Sequence, residues 1–385
     1  MDIRYYFTPV DFSTYYNSGH LTWKYSLGAV VEKNSLALTK ENIHKLNIAI
    51  VGVPFDSRKE DNYSPQATDK IRAELYQLAK FNNKINIADF GNLKPASSIK
   101  GYYQALRDIA DYFNELKIVT VVIGGSQDLS IGICEAFTGD PYFSYSTIDA
   151  FLDVKRAKEP FDSSNYLSRL FSNQPQLFQF NLIGFQSHYI AYENLSKIKC
   201  ISEHIRLGNL RDNIMLAEPV LRNTDFLSFD INSVKHSEAP GSLRITPNGL
   251  RSEEACQLAK YAGLSGRLKV FGLFEVFEEN DRENLTVNLA AQLIWYFLEG
   301  CINRDNDKPD SNENNIMYQV EVDSVDKPII FFKDSVTNQW WLQIETSEKR
   351  KLYFGCSEKE YEQASNNEIP ELWLKYIQKI DVLLK

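Results

Sequence analysis

Short runs of β-branched and aliphatic residues alternate along the chain with stretches whose apolar positions recur at helical spacing. The run 46–56, LNIAIVGVPFD, ends in Gly and Pro as a buried parallel strand does, and amphipathic stretches follow at 66–80 and 99–116. Further apolar runs at 117–123, 142–148, 178–183, 225–229 and 268–274 are separated by helix-like segments such as 128–137, 247–262 and 284–298. This rhythm predicts an α/β fold with a parallel sheet, doubly wound or related, in which ligands gather at the carboxyl ends of the strands.

The pattern changes after the helix-like segment. Residues 303–315, NRDNDKPDSNENN, are too polar to pack and read as a linker or exposed loop. Beyond them, 316–322, 328–333 and 339–344 read as strands and 370–384 as an amphipathic helix. The chain therefore divides into a main domain over 1–302, the polar stretch, and a small strand-strand-helix appendage over 316–385. Trp340, Trp341 and Trp373 are expected to pack that appendage onto the main body rather than to hold a ligand. No internal repeat is visible.

Composition narrows the class. With 385 residues, 43% of them hydrophobic, the chain can bury one large core. A net charge of −9 argues against general affinity for nucleic acid, which needs clustered Lys and Arg, and favours small molecules or protein partners. The five cysteines are scattered without zinc spacing and are expected to be inert thiols. The first 14 residues lack the apolar core and cleavage site of a secretory leader, and no apolar run is expected to reach the roughly 18 residues of a membrane span. The expectation is a cytoplasmic protein without membrane contact.

Three short segments carry candidate chemistry, each directly after one of the expected strands: Gly124-Gly125-Ser126-Gln127-Asp128, Asp149-Ala150-Phe151-Leu152-Asp153 and Ser228-Phe229-Asp230-Ile231-Asn232. Singly, such aspartates most often cap the next element. Together, in this order, they resemble the ureohydrolase family of arginase, agmatinase and formimidoylglutamase. The resemblance runs from about residue 46 to residue 298. Val51-Gly52-Val53-Pro54-Phe55-Asp56, Pro240-Gly241 and Gly272-Leu273-Phe274-Glu275-Val276 also suit the pattern, and the overall look is closest to formimidoylglutamase-like proteins. It implies a three-layer parallel sheet of the arginase/deacetylase type and, in the family, two bridged manganese ions that activate a hydroxide. It also implies trimers or hexamers, so a homo-oligomer is expected.

Carried over residue by residue, the resemblance makes Asp149 and Asp230 bridging carboxylates and Asp153 a terminal ligand. The pattern's histidines are replaced by Gln127 and Phe151, its second aspartate in the last segment by Asn232, and a third by Lys235. One metal position keeps Asp149, Asp153 and Asp230, with the Gln127 amide oxygen as a competent ligand for a hard cation. The other loses two of its donors. A two-manganese centre is therefore not expected, and the cofactor is none or one Mn²⁺, Mg²⁺ or Ca²⁺. Without metal, the three carboxylates need a cation, for which Lys235 is the candidate.

The first functional reading is a protein of this fold that has lost dimetal hydrolysis and binds an unknown protein or small molecule. The rival is a one-metal hydrolase of C–N bonds in linear amidines, aided by His236 or Asp128 as base and by Glu275, which matches the family's contact to the substrate guanidinium. A third reading is an unrelated α/β enzyme with the same strand rhythm. The Gly124-Gly125 turn does not have the spacing of a nucleotide-phosphate loop.

Overall fold

The computed structural model describes residues 3–13, 21–34, 40–58, 66–155, 158–174, 177–198, 202–281, 283–304, 309–311 and 313–383. Cys200, and residues 305–308 and 312 of the polar stretch, lie outside the described residues. In chain order the strands of the main sheet are β1 (Phe7–Thr8), β2 (Glu32–Lys33), β3 (Ile48–Val53), β4 (Ile87–Leu93), β5 (Val119–Gly124), β6 (Ser144–Ile148), β7 (Gln179–Phe185), β8 (Ser202–Arg206), β9 (Phe226–Asp230) and β10 (Val270–Phe274). Their spatial order is β1-β4-β3-β5-β10-β9-β6-β7-β8, with β2 also on β4. All pairings from β2 to β10 are parallel, and only β1 runs antiparallel.

The sheet is covered on both faces, which is why its strands read as continuous apolar runs rather than as alternating ones. In β3, Ile48 and Ile50 enter one core while Ala49, Val51 and Val53 enter the other. Helices Gln66–Leu75, Ser252–Leu264 and Leu285–Ile302 close the first core; Ile99–Glu115, Ser130–Glu135 and Tyr166–Asn173 close the second. The expected α/β architecture is therefore present, with β4, β8 and the two-residue strands β1 and β2 added. Strand β4 escapes a reading by apolar runs because it buries Asp89 and Asn92. Arg72, fully buried, pairs with Asp89 at 2.8 Å and donates to Asn92 at 2.6 Å. Such a network is stable only when its members are satisfied.

Helix Leu285–Ile302 corrects one expectation, since its 18 residues at a mean hydropathy of 1.3 are long and apolar enough to cross a membrane. Its composition has another cause here. It packs on Ser252–Leu264 through a close backbone approach, where a Cβ at Gly263 would lie 2.1 Å from the Phe297 carbonyl oxygen. Phe297 also stacks on Phe271 of β10 at 4.4 Å.

The appendage is larger than a strand-strand-helix unit. Strands β11 (Asn315–Val320), β12 (Ile329–Asp334), β13 (Trp340–Glu345) and β14 (Lys351–Cys356) form an antiparallel sheet in that order, followed by helices Glu358–Ser365 and Glu371–Leu383. It docks on the main domain as expected for Trp341, whose ring lies 4.5 Å from the Arg222 guanidinium. Trp340 instead stacks within the appendage on Tyr361 at 4.6 Å. Phe178 of the main domain completes the appendage's core beside Phe354 and Tyr376.

Candidate functional site

Four adjacent strands, β5, β10, β9 and β6, bring the candidate residues to one edge of the sheet. Phe274 pairs with Asp230 and Ile148 with Phe229, so Asp149 lies level with Asp230 and Glu275 follows one residue later. Gly125 permits the tight turn after β5: a Cβ there would lie 1.7 Å from the Phe55 carbonyl oxygen. Glu275 takes a left-handed backbone, φ 70°, while its N–H donates to the Gly125 carbonyl at 2.8 Å. For a residue with a Cβ that conformation is strained and persists because its neighbours fix it.

Asp149, Asp153 and Asp230 converge, each buried, with carboxylate oxygens within 4.8 Å of one another. Asp149 and Asp230 do cap their loops, accepting from the N–H of Phe151 at 2.9 Å and of Asn232 at 2.7 Å. Capping and convergence coexist. Burial pushes both carboxyls well above the usual range, reinforced for Asp149 by Asp153 and Asp230, and for Asp230 by Glu275 and Asp153.

The compensating charge is Arg244. Its Nη2 lies 2.7 Å from Asp153 Oδ1, and its guanidinium lies over the Phe151 ring at 4.0 Å. Phe151 in turn stacks on Tyr189 at 4.6 Å. Burial alone would lower the Arg244 pKa, but Asp153, Asp149 and Asp230 outweigh it and hold the group charged. The backbone N–H of Arg244 donates to Asn232 Oδ1 at 2.9 Å, while Asn232 Nδ2 donates to Asp230 Oδ1 at 2.8 Å. A carboxylate at position 232 could not make that second bond. Phe151, Asn232 and Arg244 thus act as one unit around the three aspartates.

Lys235 does not fill this role. Its Nζ sits 4.0 Å from Glu238, and no ion pair joins it to Asp153 or Asp230 among the described residues. The reason is local: its loop is tied to Leu250 by the Lys235 N–H, and the side chain follows the Lys235-to-Glu238 turn. His236 bonds Ser242 at 3.3 Å rather than a site carboxylate. Asp128 is buried away from water, accepting from Ser57 at 2.9 Å and Tyr103 at 2.5 Å. Burial raises its pKa, opposed by bonds from Ser126, Tyr103 and Ser57. These bonds anchor the turn after β5.

Glu275 is also occupied. Its Oε2 pairs with Arg58 Nη1 at 2.8 Å and its Oε1 accepts the Gln127 N–H at 2.7 Å. A guanidinium from the chain itself therefore meets the glutamate that the resemblance assigns to a substrate guanidinium. Neither Arg58 nor Arg244 stands out in sequence, because both lie in loops without periodicity.

A bridged metal pair does not fit these donors. Phe151 offers no lone pair, and Asn232 offers only a neutral amide oxygen, already accepting from the Arg244 N–H, where the pattern has a carboxylate. The other position is better supplied. Gln127 Nε2 donates to Thr147 and Ser228, each at 3.0 Å, which leaves a buried Oε1 with no hydrogen-bond partner. Asp149, Asp153 and Asp230 by themselves form a convergent oxygen set of the kind that suits one hard cation.

The sequence profile of the arginase family matches residues 46–299. A formimidoylglutamase from Streptococcus gordonii is 22% identical over 285 residues, covering 67% of this chain and 85% of the relative. Among solved structures, formimidoylglutamase from Bacillus subtilis superposes with a TM-score of 0.64 at 16% identity, covering 75% of this chain and 96% of that one. Trypanosoma cruzi formiminoglutamase, solved with Mn²⁺, gives 0.62 at 19% identity, with 71% and 99% covered.

Proposed function

We propose, since this chain belongs to the arginase family, that its crevice carries a built-in guanidinium in place of a bridged manganese pair. The protein then serves as a binding or interaction protein rather than as a hydrolase. The observation that carries this reading is the Arg244 ion pair with Asp153 over the Phe151 ring. A monocation held there offsets the carboxylates without the donors a second metal requires. Arg58 supports the same reading by taking up Glu275.

A second reading rests on the convergence of Asp149, Asp153 and Asp230. It keeps one Mn²⁺, Mg²⁺ or Ca²⁺ on Asp149, Asp153, Asp230 and Gln127, and retains hydrolysis of C–N bonds in linear amidines. When bound, the ion would supply Lewis acidity, while Glu275 and Arg58 would order the far wall. The test is elemental analysis of the full chain dialysed against Mn²⁺, together with release of glutamate from N-formimidoylglutamate. The first reading expects no turnover and at most one ion. Two ions with turnover would overturn it, and one ion with turnover would establish the second.

A further inference from the structure

We propose that the cleft between the α/β domain and the C-terminal sheet is a second ligand site, built for a small phosphate-bearing anion. A cavity of about 500 Å³ lies there, lined by residues at the amino ends of β5, β6, β9 and β10 and by residues of β13 and β14 with the turn between them. Strands of five or six residues separate it from the aspartate crevice, roughly 17–20 Å along the sheet. The two sites stand at opposite edges. The appendage that forms one wall lies beyond residue 299, where the family match ends.

Its charge is opposite to that of the whole molecule. Lys117, Arg222, Arg267, Lys269, Arg304 and Arg350 line it against two acids, Asp140 and Asp225, in a chain of net charge −9. Arg267 and Lys269 pair with Asp225, at 2.9 and 3.3 Å. Among the described residues no ion pair engages Lys117, Arg304 or Arg350. Three cations are left for a ligand.

Arg222 gives the cavity its built character. It is 6% exposed and pairs with Glu218 through Nε at 3.1 Å, yet its Nη1 has no hydrogen-bond partner. Leaving a buried guanidinium N–H unmet is costly, so an acceptor in the cavity would answer it. The side chain is held by design of its surroundings: a Cβ at Gly355 would lie 2.9 Å from Arg222 Nε, and Trp341 backs the guanidinium. Arg350 lies over Tyr142 in the same way, at 5.6 Å. Aromatic faces orient these groups without neutralising them, leaving N–H edges for oxygen acceptors. Phosphate oxygens match guanidinium forks and carry enough charge for several cations at once, and the volume suits a small molecule.

The test is calorimetric titration of the full chain with inorganic pyrophosphate, with EDTA present so that no divalent ion carries the anion to the acidic crevice. Arg222 is too buried for a safe variant, so the exposed Arg350→Gln and Lys117→Gln are used, with exposed Lys70→Gln, outside the cavity, as control. The expected result is saturable one-site binding that weakens about tenfold in each cavity variant and is unchanged in the control. Non-saturable heat, equal losses in all three variants, or full affinity in the cavity variants would overturn the proposal. This outcome is independent of the manganese experiment, because the two sites share no residue.

Discussion

Arg244 is the residue on which the crevice depends. Removing its guanidinium leaves Asp149, Asp153 and Asp230 buried together, two of them already pushed toward protonation. Breaking a buried pair from one side costs about 3–5 kcal/mol. With 26% of the Arg244 side chain exposed, the lower end applies. Arg244→Ala is therefore expected to lose about 3 kcal/mol in urea denaturation, and Mn²⁺ in the buffer is expected to restore part of it by replacing the lost charge. Unchanged stability, or no response to Mn²⁺, would contradict the account of Arg244 as the charge that stands in for metal. The aspartates of this site were legible in sequence because each follows a strand at a recognisable spacing. Arg244 was not, since it comes from a loop 12 positions after Asn232 and reaches the site only through tertiary folding. Lys235 was the plausible choice by proximity in sequence, but its turn to Glu238 directs it elsewhere.

At the scale of elements, the turn after β5 joins the first core strand to the crevice. Its backbone meets the end of β3 so closely that Gly125 has no room for a side chain, and Ser126 N–H donates to the Phe55 carbonyl at 2.9 Å. Gly125→Ala must push backbone from backbone rather than displace a flexible side chain. A loss of about 2–4 kcal/mol follows from such overpacking, along with a shift of Gln127 and Glu275, which are tied by the bond at 2.7 Å. Chemical denaturation checks the stability, and a loss below about 1 kcal/mol would mean the turn relaxes freely. The buried central strands were legible because both their faces are apolar. Strands β4 and β14 were not: one buries an Arg72 network, and the other, KLYFGC, begins with a lysine and has an exposed outer end. Apolar periodicity does not register a strand stabilised by ion pairs or by docking on another domain.

For the molecule as a whole, the question is whether the appendage folds with the main domain. Buried contacts of three kinds cross the boundary among the described residues, beside the ion pair of Lys375 with Glu203. Phe178 enters the appendage's core, Asn223 exchanges two hydrogen bonds with the Gly355 backbone at 2.8 and 2.6 Å, and Arg222 lies against Trp341. Each is buried on the main-domain side, so unfolding the appendage alone would expose Phe178, take the Gly355 backbone from the Asn223 amide and strip Trp341 from the Arg222 guanidinium, which would keep only Glu218. That penalty favours a single cooperative transition over two. Calorimetry of the full chain is expected to show one peak. Phe178→Ala, which removes a ring packed against the stacked pair Phe354 and Tyr376, is expected to lower stability by about 3–5 kcal/mol while keeping that peak single. Two resolved peaks in the unsubstituted protein would make the appendage an independent unit. The cationic cleft would then open and close with that unit rather than stand as a fixed feature of the folded chain, because Trp341 and Arg350 reach it only while the appendage is docked.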